Sequence, residues 1–590
     1  MADISDTENK PCSVQARQGF SVYYRNRYLY SQYDAEKPVT RLIDSLTILP
    51  ETLILAYSPV LGTGLLHLLE RLPAGCFVLA AEFDRQLYDF FLNTDTAKTA
   101  CKDPRFKAVL LDRPEQIAGL LSRNRLQAAS EGGIPPQGSF RRCLTVEMSG
   151  GVAFSQDAYR LTTKYADDSI ATFWKNHITL TRLGRLYARN LLTNTAQLSS
   201  QMHRTSGNTH APHCILRPHS VNKPILALGA GPSLDELLPI LSDARNLFFI
   251  LAADAALPSL AQYGIHPDAV VAVESQIAIE KAYIGFGGCG IPLIADLTSR
   301  PRVLSIMNGP VSFFMTEYCN EPFMKRFRQF ASDSEIPVFP PLGSVGLYTL
   351  ELALYLRSPE TPVIFSGLDF AWGKGSTHCK GAPAHTNILL QSSRLNPPAC
   401  TASSFGTGTQ CFSGKDGSIQ YTTPNLAGYG RLLSERYAKT PKLYDAGSTG
   451  METGITRISI KNVLSDAKNS TLNASSTYFN EISWLKADIG VYDTISRSTP
   501  VETARLMANA DKLISSEYTG IKLIHDLIDE YETALSDSES DIADITGNKL
   551  LELLENHSYL FLHFPDAARG PSLSQDFLAR IKTECVRFLK

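Results

Sequence analysis

The feature that most constrains the fold is a regular alternation of apolar strands with turns and helices in the middle of the chain. An apolar run at residues 225–228 is followed at once by the turn Gly-Ala-Gly-Pro-Ser at 229–233 and then by a helical pattern. Further apolar runs follow at residues 247–252, 269–273 and 362–366. Strands that alternate with helices at this spacing predict a doubly wound parallel sheet of the α/β class.

The length of the chain requires more than one domain, because 590 residues exceed what one hydrophobic core usually organises. A βαβ pattern near the N-terminus contains Gly62 and Gly64 but lacks the third glycine of a dinucleotide fingerprint. This pattern favours sheet packing over nucleotide binding. We predict a smaller N-terminal α/β, Rossmann-like domain with trailing helices at 1–205, a linker at 206–222, a central α/β domain at 223–475 and a C-terminal α-helical domain at 476–590.

Composition and charge exclude several classes of protein. The chain has 56 basic and 59 acidic residues, so its overall field would not attract nucleic acid or anionic lipid. The eleven cysteines are scattered and never form a Cys-x-x-Cys pair, which indicates reduced thiols in a cytoplasmic protein. No apolar stretch of the sequence approaches the ~20 residues that a membrane span requires. We therefore expect a cytoplasmic protein with no nucleic-acid partner and no membrane insertion.

The glycine turn is the strongest candidate for a ligand site. Gly229 and Gly231 would let a phosphate or a ribose approach the backbone, and the helix that follows Pro232 would offer N–H groups and its positive dipole end. Ser233 can cap this helix. A Gly-Lys-Ser/Thr sequence does not follow, so the turn is not a Walker P-loop. A glycine-proline turn can also be purely structural, and that alternative stays open.

Acidic residues follow three further strands of the predicted sheet: Asp254, then Glu274 with Ser275, then Asp369. The carboxyl ends of parallel strands share one edge, where ligands of doubly wound sheets bind. A carboxylate there could hold ribose hydroxyls, bind a metal or take a proton from an acceptor hydroxyl. Taken singly, each residue is more readily explained as a helix cap or as part of a solvated loop, and it is their joint placement at this edge that favours a ligand site.

A long polar loop, predicted at residues 373–418, contains His378 and His385. Loops of that length are usually functional lids or disordered. Since the pKa of histidine lies near neutral pH, His378 could act as a general base or pair with a phosphate, and His385 is the weaker candidate. The sequence contains no Cys/His metal cluster and no nucleophile elbow, so we predict no metal site.

The order of these motifs resembles the central domain of the bacterial motility accessory factor (Maf) family. The resemblance covers most of residues 50–465 and the C-terminal helices only loosely. It rests on Gly-Ala-Gly-Pro-Ser-Leu-Asp at 229–235, Ala-Ala-Asp-Ala-Ala-Leu at 252–257, Tyr-Gly-Ile-His-Pro-Asp at 263–268, Ser-Gly-Leu-Asp-Phe at 366–370, Thr377 with His378, Gly-Ser-Thr-Gly at 447–450, and Trp-Lys-Asn at 174–176 with Asn190 and Asn194.

This resemblance implies a cytoplasmic glycosyltransferase with a central Rossmann-like sheet similar to that of bacterial sialyltransferases. It would move a nonulosonic acid of the pseudaminic or legionaminic type from a CMP-activated donor to Ser or Thr hydroxyls of flagellin, with no tightly bound cofactor. His378 would be the base and Asp369 a second catalytic residue. The nucleotide would be bound by Gly229, Gly231, Pro232, Ser233, Asp254, Glu274 and Ser275. Glu274 stands where aspartate is the more usual residue, and the glycine turn lacks an asparagine.

Two other functions are compatible with the same residues. The central domain also resembles archaeal 6-hydroxymethyl-7,8-dihydropterin pyrophosphokinases, in which Asp254, Glu274 and Asp369 would hold Mg²⁺-ATP, although the large flanking domains argue against a small-metabolite kinase. The third hypothesis is a non-catalytic accessory protein whose C-terminal helices bind an amphipathic helix of flagellin. A homo-oligomer is compatible with all three hypotheses.

Overall fold

A computed structural model describes residues 10–122, 133–200, 215–374, 377–398, 408–459 and 499–590, together with residues 406 and 461. The described chain divides into two compact units. The first unit draws on Met1–Gly184, Cys319–Pro322 and Ile524–Cys585, and the second draws on Arg185–Tyr318, Phe323–Leu523 and Val586–Lys590. The predicted linker and the predicted start of the C-terminal domain fall largely outside the described residues, so those boundaries stay predictions.

The first unit begins with a small antiparallel sheet and continues into a parallel sheet of four strands with the order β6-β5-β4-β7. Every residue of its two central strands is buried, as expected for parallel strands covered on both faces. The elements are β1 (Cys12–Gln15), β2 (Phe20–Tyr24), β3 (Arg27–Tyr28), α1 (Lys37–Ser45), β4 (Thr52–Tyr57), α2 (Leu65–Glu70), β5 (Phe77–Glu82), α3 (Arg85–Leu92), α4 (Asp95–Ala100), β6 (Phe106–Leu110), α5 (Gln116–Leu121) and β7 (Arg142–Glu147).

The two glycines after β4 have a conformational explanation. Gly62 and Gly64 have φ angles of 72° and 75°, which side chains with a Cβ rarely adopt. The turn geometry alone therefore accounts for both glycines, in agreement with the sheet-packing interpretation of this βαβ pattern.

A helix of 45 residues, α6 (Gln156–Ser200), follows the first sheet. Tyr159, Ala166 and Ile170 are buried against β4 and β5, because residues at helical spacing share one face. The helix contributes residues to both units, since the division falls between Gly184 and Arg185. The helical pattern predicted for this part of the chain is confirmed.

The second unit is built on a parallel sheet of eight strands with the order β13-β12-β11-β10-β9-β8-β14-β17. The order reverses between β8 and β14, which makes the crevice outside their carboxyl ends the switch point of a doubly wound sheet. Its elements are β8 (Ile225–Leu228), α7 (Leu234–Ala244), β9 (Phe249–Ala253), α8 (Leu257–Gln262), β10 (Ala269–Ala272), β11 (Leu293–Asp296), α9 (Pro301–Met307), β12 (Val311–Thr316), α10 (Pro322–Asp333), β13 (Val338–Phe339), α11 (Val345–Leu356), β14 (Val363–Ser366), α12 (Pro383–Gln391), β15 (Gln410–Ser413), β16 (Ile419–Thr422), α13 (Pro424–Tyr437) and β17 (Leu443–Asp445).

One hydrophobic cluster of the second unit lies between this sheet and α11, and a second cluster joins the sheet to α7 and α8. Helix α11 is apolar on nearly all sides, and it packs against β8, β9, β10 and β14. A helix with this pattern is stable only when it is buried. The candidate site lies at the carboxyl edge of the same sheet.

The prediction of one long polar loop at residues 373–418 is wrong. This segment contains α12 and β15, and β15 pairs with β16 in an antiparallel hairpin. Pro383 occupies the first turn of α12, where its fixed φ favours a helix. Ile388 is the buried residue of this helix, whereas the neighbouring Leu389 and Leu390 are exposed, so the apolar residues do not recur at helical spacing.

Three helices complete the described chain: α14 (Pro500–Ser536), α15 (Ser540–Asn556) and α16 (Gln575–Leu589). The first of them buries Leu506, Ile521 and Ile528, whereas its Leu523 is exposed. The helical character of the C-terminal region is confirmed. None of the helices in the described part of the chain combines the length and the apolar character needed to cross a bilayer.

Candidate functional site

The glycine turn lies in direct contact with the turn that follows β14. The N–H of Gly229 donates to the carbonyl of Ser366 at 2.9 Å, and the N–H of Gly231 donates to the carbonyl of Gly367 at 2.8 Å. A Cβ at Gly229 would lie 2.3 Å from the Gly367 oxygen, which is closer than any contact that a side chain tolerates. The close approach of the two turns therefore requires glycine at position 229. This requirement is the structural explanation of the turn that the sequence left open.

Ser233 does not cap α7, contrary to the sequence prediction. Its backbone is helical and its hydroxyl makes no capping bond. The hydroxyl instead accepts the N–H of Gly367 at 3.0 Å, while the N–H of Ser233 donates to Asp369 Oδ2 at 2.8 Å. The reason is tertiary: the turn after β14 supplies a carboxylate, which is favourable beside the positive end of a helix.

Asp369 is the centre of this arrangement. Its side chain is buried, and burial raises its pKa to about 6, against the lowering effect of the bonds from Ser233. A Cβ at Gly231 would lie 2.4 Å from Oδ2, and one at Gly450 would lie 2.6 Å from the Asp369 carbonyl oxygen. Oδ1 has no hydrogen-bond partner among the described residues. Asp369 thus presents a buried, unpaired oxygen whose protonation changes near neutral pH.

A buried ion pair at the same point was not predicted from the sequence. Lys415 Nζ lies 2.8 Å from Asp445 Oδ2, and each side chain is only 1% exposed. Asp445 ends β17, the strand beside β14, and its Oδ1 accepts the N–H of Gly447 at 2.8 Å. A Cβ at Gly447 would lie 3.0 Å from both Lys415 Nζ and Ser233 Oγ. The ammonium group therefore lies beside the glycine turn.

A sequence signal existed for one member of this pair. Asp445 ends an apolar strand and precedes the Gly-Ser-Thr-Gly stretch, which is the pattern that identified Asp254 and Asp369. Lys415 had no such signal, because it lies in a polar hairpin whose position depends on tertiary contacts.

Asp254 follows β9, on the other side of β8 from Asp369. Its Oδ1 accepts the N–H of Ala255 at 2.7 Å, and no described residue bonds to its Oδ2. Burial raises the pKa of Asp254 to about 7, with a smaller contribution from the charge of Glu274. This carboxyl is therefore partly protonated at neutral pH and can donate as well as accept a hydrogen bond.

Glu274 and Ser275 follow β10, the next strand of the sheet. Glu274 Oε1 accepts the N–H of Gln276 at 3.0 Å, so this carboxylate serves its own loop. The buried Ser275 hydroxyl has no partner within the described chain. The Asn190 amide of α6 donates to the carbonyls of Ser275 and Thr298 at 3.2 and 3.0 Å. Asn190 thereby fixes the ends of two neighbouring strand loops.

His378 lies in a loop that is bonded to the glycine turn. The N–H of Cys379 donates to the Ala230 carbonyl at 3.0 Å, and the N–H of Lys380 donates to Asp235 Oδ1 at 2.8 Å. Burial lowers the pKa of His378, with a smaller effect from His385. The imidazole is therefore neutral at neutral pH, as a general base must be. His385 accepts the N–H of Gly381 at 3.4 Å within its own turn.

A cavity of about 400 Å³ adjoins His378. It lies between α12, the start of α13 and the segment around Trp372. Side chains that can contact a ligand there include Trp372, Thr377, His378, Asn387, Gln391 and Thr423.

The carboxylates considered as Mg²⁺ ligands do not assemble into a metal site. Glu274 bonds to its own loop, and Asp369 bonds to the start of α7. Within the residues that the structure describes, no group of three or more His, Cys, Asp or Glu side chains is arranged to hold a metal ion. The arrangement expected for Mg²⁺-ATP is therefore not found among these residues.

Comparisons with known proteins identify a family domain in this chain and a relative over nearly its whole length. The family described as "6-hydroxymethylpterin diphosphokinase MptE-like" matches residues 190–375. A protein of Treponema pallidum (strain Nichols), named only as an uncharacterized protein, is 31% identical over 583 residues, which cover 98% of this chain and 94% of the relative.

A solved structure is similar over nearly the whole chain. The structure of the MAf glycosyltransferase from Magnetospirillum magneticum AMB-1 matches with a TM-score of 0.52 and 14% identity, covering 98% of this chain and 91% of that chain. At this identity the likeness concerns the fold. Both the α/β fold class and the family resemblance predicted from the motifs are confirmed. The chain therefore belongs to the same family as its Treponema pallidum relative, contains an MptE-like domain and has the fold of the Maf glycosyltransferase.

Proposed function

We propose that the protein is a cytoplasmic glycosyltransferase that moves a nonulosonic acid, of the pseudaminic or legionaminic type, from a CMP-activated donor to Ser or Thr hydroxyls of flagellin. One observation carries the proposal: the loop that holds His378 is hydrogen-bonded to the glycine turn through Cys379 and Ala230. In this proposal His378 is the base, and the bond keeps its loop next to the glycine turn that would bind the nucleotide. The Maf-type fold supports the transferase class, and no tightly bound cofactor is part of the proposal.

Unpaired polar atoms at the sheet edge support a polar ligand. Asp254, Ser275, Asp369 and Ser448 each have a buried side-chain oxygen without a partner among the described residues. A buried group left unpaired costs roughly 1–3 kcal/mol, so a bound nucleotide that supplied partners would stabilise the folded protein. Asp254 and Ser275 are assigned to the ribose and base, and Asp369 and Ser448 to the groups nearer the glycine turn.

The charges suit a reaction in which an anion leaves. We assign Lys415 to the donor phosphate, because an ammonium group and the start of α7 both favour a negative charge. The acceptor oxygen attacks the anomeric carbon of the sugar, the bond from that carbon to the phosphate oxygen breaks, and CMP leaves as an anion. The hydroxyl proton passes to the neutral imidazole of His378. Asp369 holds the glycine turn and the β14 turn together during this step.

A thermal-shift experiment with CMP, CDP, CTP, UDP and ATP, each with and without Mg²⁺, tests the proposed donor. Cytidine nucleotides should raise the unfolding temperature of the wild type, because a ligand that binds only the folded state stabilises it. Asp254→Asn should lose this shift. Asp296→Asn is the matched control, because Asp296 is buried at the same edge but its oxygens are bonded to Thr298 and Thr316. This control should keep the full nucleotide shift even if it lowers the starting stability.

The other outcomes favour other functions. A shift with ATP only when Mg²⁺ is present would replace the proposal with the pyrophosphokinase activity, which the MptE-like description favours. No shift with any nucleotide, together with intact flagellin binding, would favour the non-catalytic accessory protein.

A further inference from the structure

A short 3₁₀ helix, Ile277–Tyr283, lies against the residues that follow β9, among them Asp254. Its last residue, Tyr283, is only 1% exposed, and Asp254 is buried to the same extent. Burial raises the pKa of the Tyr283 phenol, and the charge of Asp254 adds a smaller effect, which requires the two groups to be close. The helix therefore helps to exclude solvent from Asp254.

This arrangement leaves two polar groups without partners. Within the described chain, neither the Tyr283 hydroxyl nor Asp254 Oδ2 has a hydrogen-bond partner. A buried polar group that makes no hydrogen bond destabilises the arrangement that buries it, because water would bond to it after exposure. Displacement of the 3₁₀ helix would return both groups to water, so these groups lower the free energy needed to displace it.

The segment itself is weakly held by its backbone conformation and its apolar side chains. A 3₁₀ helix of seven residues is longer than is usual for this less stable conformation. Ile277 and Ile284 are 68% and 75% exposed, so they contribute little burial. At Gly287 a Cβ would meet no described atom within 4 Å, and the φ angle is not positive. Neither packing nor turn geometry requires glycine at position 287, whereas a hinge would benefit from its conformational freedom.

The ends of the segment are fixed, and a charged hydrogen bond holds its middle. The loop before it is bonded to Glu274, as described above, and the N–H of Gly288 donates to the Ile306 carbonyl at 2.9 Å. Between these ends, Arg300 Nε donates to Glu280 Oε1 at 2.7 Å. Residues 277–287 can therefore move as one piece once this bond breaks.

We propose that residues 277–287 form a lid that opens and closes over Asp254, with Tyr283 as the residue that closes it. We call this segment the Tyr283 lid. A nucleotide reaches Asp254 only through the open form, so the apparent affinity depends on the fraction of molecules in which the lid is open. The identity of the ligand rests on the proposed function, whereas the motion of the lid does not.

Hydrogen exchange of the full-length chain, read by mass spectrometry, tests the lid without any ligand. The amides of residues 277–287 should exchange faster than those of β9 and β10, because local opening requires less free energy than global unfolding. Tyr283→Phe should slow the exchange of the lid about tenfold, since it removes an unpaired hydroxyl from the closed form. Glu280→Ala should speed it about tenfold, since it removes the charged bond to Arg300.

Tyr355→Phe is the matched control, because the Tyr355 hydroxyl lies on α11 and donates to the Leu216 carbonyl at 3.2 Å. This variant also loses a hydroxyl, but its lid should exchange as in the wild type. Lid amides as slow as those of β9, an unchanged or faster lid in Tyr283→Phe, or the same slowing in Tyr355→Phe would each overturn the inference.

Calorimetric titration of the same variants with CMP connects the lid to binding. Tyr283→Phe should weaken the binding of CMP and Glu280→Ala should strengthen it, each by about the factor seen in hydrogen exchange. Altered exchange with an unaltered CMP affinity would overturn the role of the lid in binding. A wild type that binds no CMP but shows the expected exchange pattern would contradict the proposed donor and support the opening of the lid.

Discussion

Individual side chains in the second unit have distinct electrostatic surroundings that separate their chemical roles. His378 is desolvated, which lowers its pKa and keeps the imidazole neutral. Asp369 and Asp254 are desolvated as well, and the same cause raises their pKa values to about 6 and 7. Burial disfavours the charged form in both kinds of residue. The site therefore combines a neutral base with two carboxyls that can hold a proton near neutral pH.

His378→Gln tests the role of the base. We expect the transfer rate to fall by about 10²–10⁴-fold, the usual contribution of a general base, while cytidine nucleotides still stabilise the variant. In the wild type, the rate should decline as the pH falls through the lowered pKa of His378, because the protonated imidazole cannot accept the acceptor proton.

His385→Gln is the matched control for the rate, since the Gly381 N–H that His385 accepts belongs to its own turn. It should retain most of the activity. A His378→Gln variant as fast as the wild type would remove His378 from the mechanism and leave the nucleotide site unaffected.

At the scale of structural elements, the site depends on turns that meet rather than on any one turn. The turns after β8, β14 and β17 converge at the point where the strand order reverses, and the β15–β16 hairpin adds Lys415. Glycines at 229, 231, 447 and 450 allow the backbones and polar groups to approach within distances that a Cβ would occupy. The glycine pattern of the sequence thus reflects close contact between turns at this edge.

Two variants separate the effect of Lys415, on the β15–β16 hairpin, on stability from the effect of its charge on CMP binding. Lys415→Met leaves Asp445 buried without its cation, and breaking a buried pair in this way costs about 3–5 kcal/mol. Adding Asp445→Asn should recover much of the free energy of unfolding, because the amide oxygen can still accept the N–H of Gly447. Both variants should lose the stabilisation by CMP, since neither supplies a positive charge for the phosphate.

Urea denaturation of the single and double variants, followed by the CMP thermal shift, measures the two effects. A double variant that regains stability and responds fully to CMP would show that Lys415 has only a structural role.

At the scale of the whole molecule, buried acids make stability depend on pH. Burial raises the pKa of Glu82 in the first unit and of Asp254, Asp296 and Asp369 in the second. A folded-state pKa above the unfolded value means that the folded protein retains a proton that the unfolded chain releases. The resulting stability is complete below the unfolded pKa and is lost as the pH rises through the folded pKa.

Asp254→Asn should remove one such contribution. For Asp254 the window runs from about pH 4, the unfolded pKa, to the folded pKa of about 7. The variant should therefore gain stability relative to the wild type as the pH rises across this window, by ~4 kcal/mol at most. Urea denaturation of both proteins at pH 5 and pH 8 measures the change, and parallel behaviour at the two values would contradict it.

The sequence determined the class of the second unit and the candidate residues along its edge. Apolar runs fixed β8, β9, β10 and β14 to within about two residues of their observed bounds, because a parallel strand buried on both faces must be apolar throughout. Asp254, Ser275 and Asp369 could be identified as candidate site residues for a related reason. The first polar residues after parallel strands lie at the carboxyl edge of the sheet, and this position does not depend on the other elements of the fold.

Only the tertiary structure decided what these residues contact. Asp369 replaces the expected Ser233 cap, Lys415 pairs with Asp445, and the loop of His378 bonds to Ala230. Each contact joins segments that are far apart in the chain, and no local periodicity records such a pairing. Strand order is also decided by the tertiary structure, because the position of β14 beside β8 follows from packing of the whole sheet. Local sequence sets which groups reach the edge, and the burial and proximity created by folding set their charge and their partners.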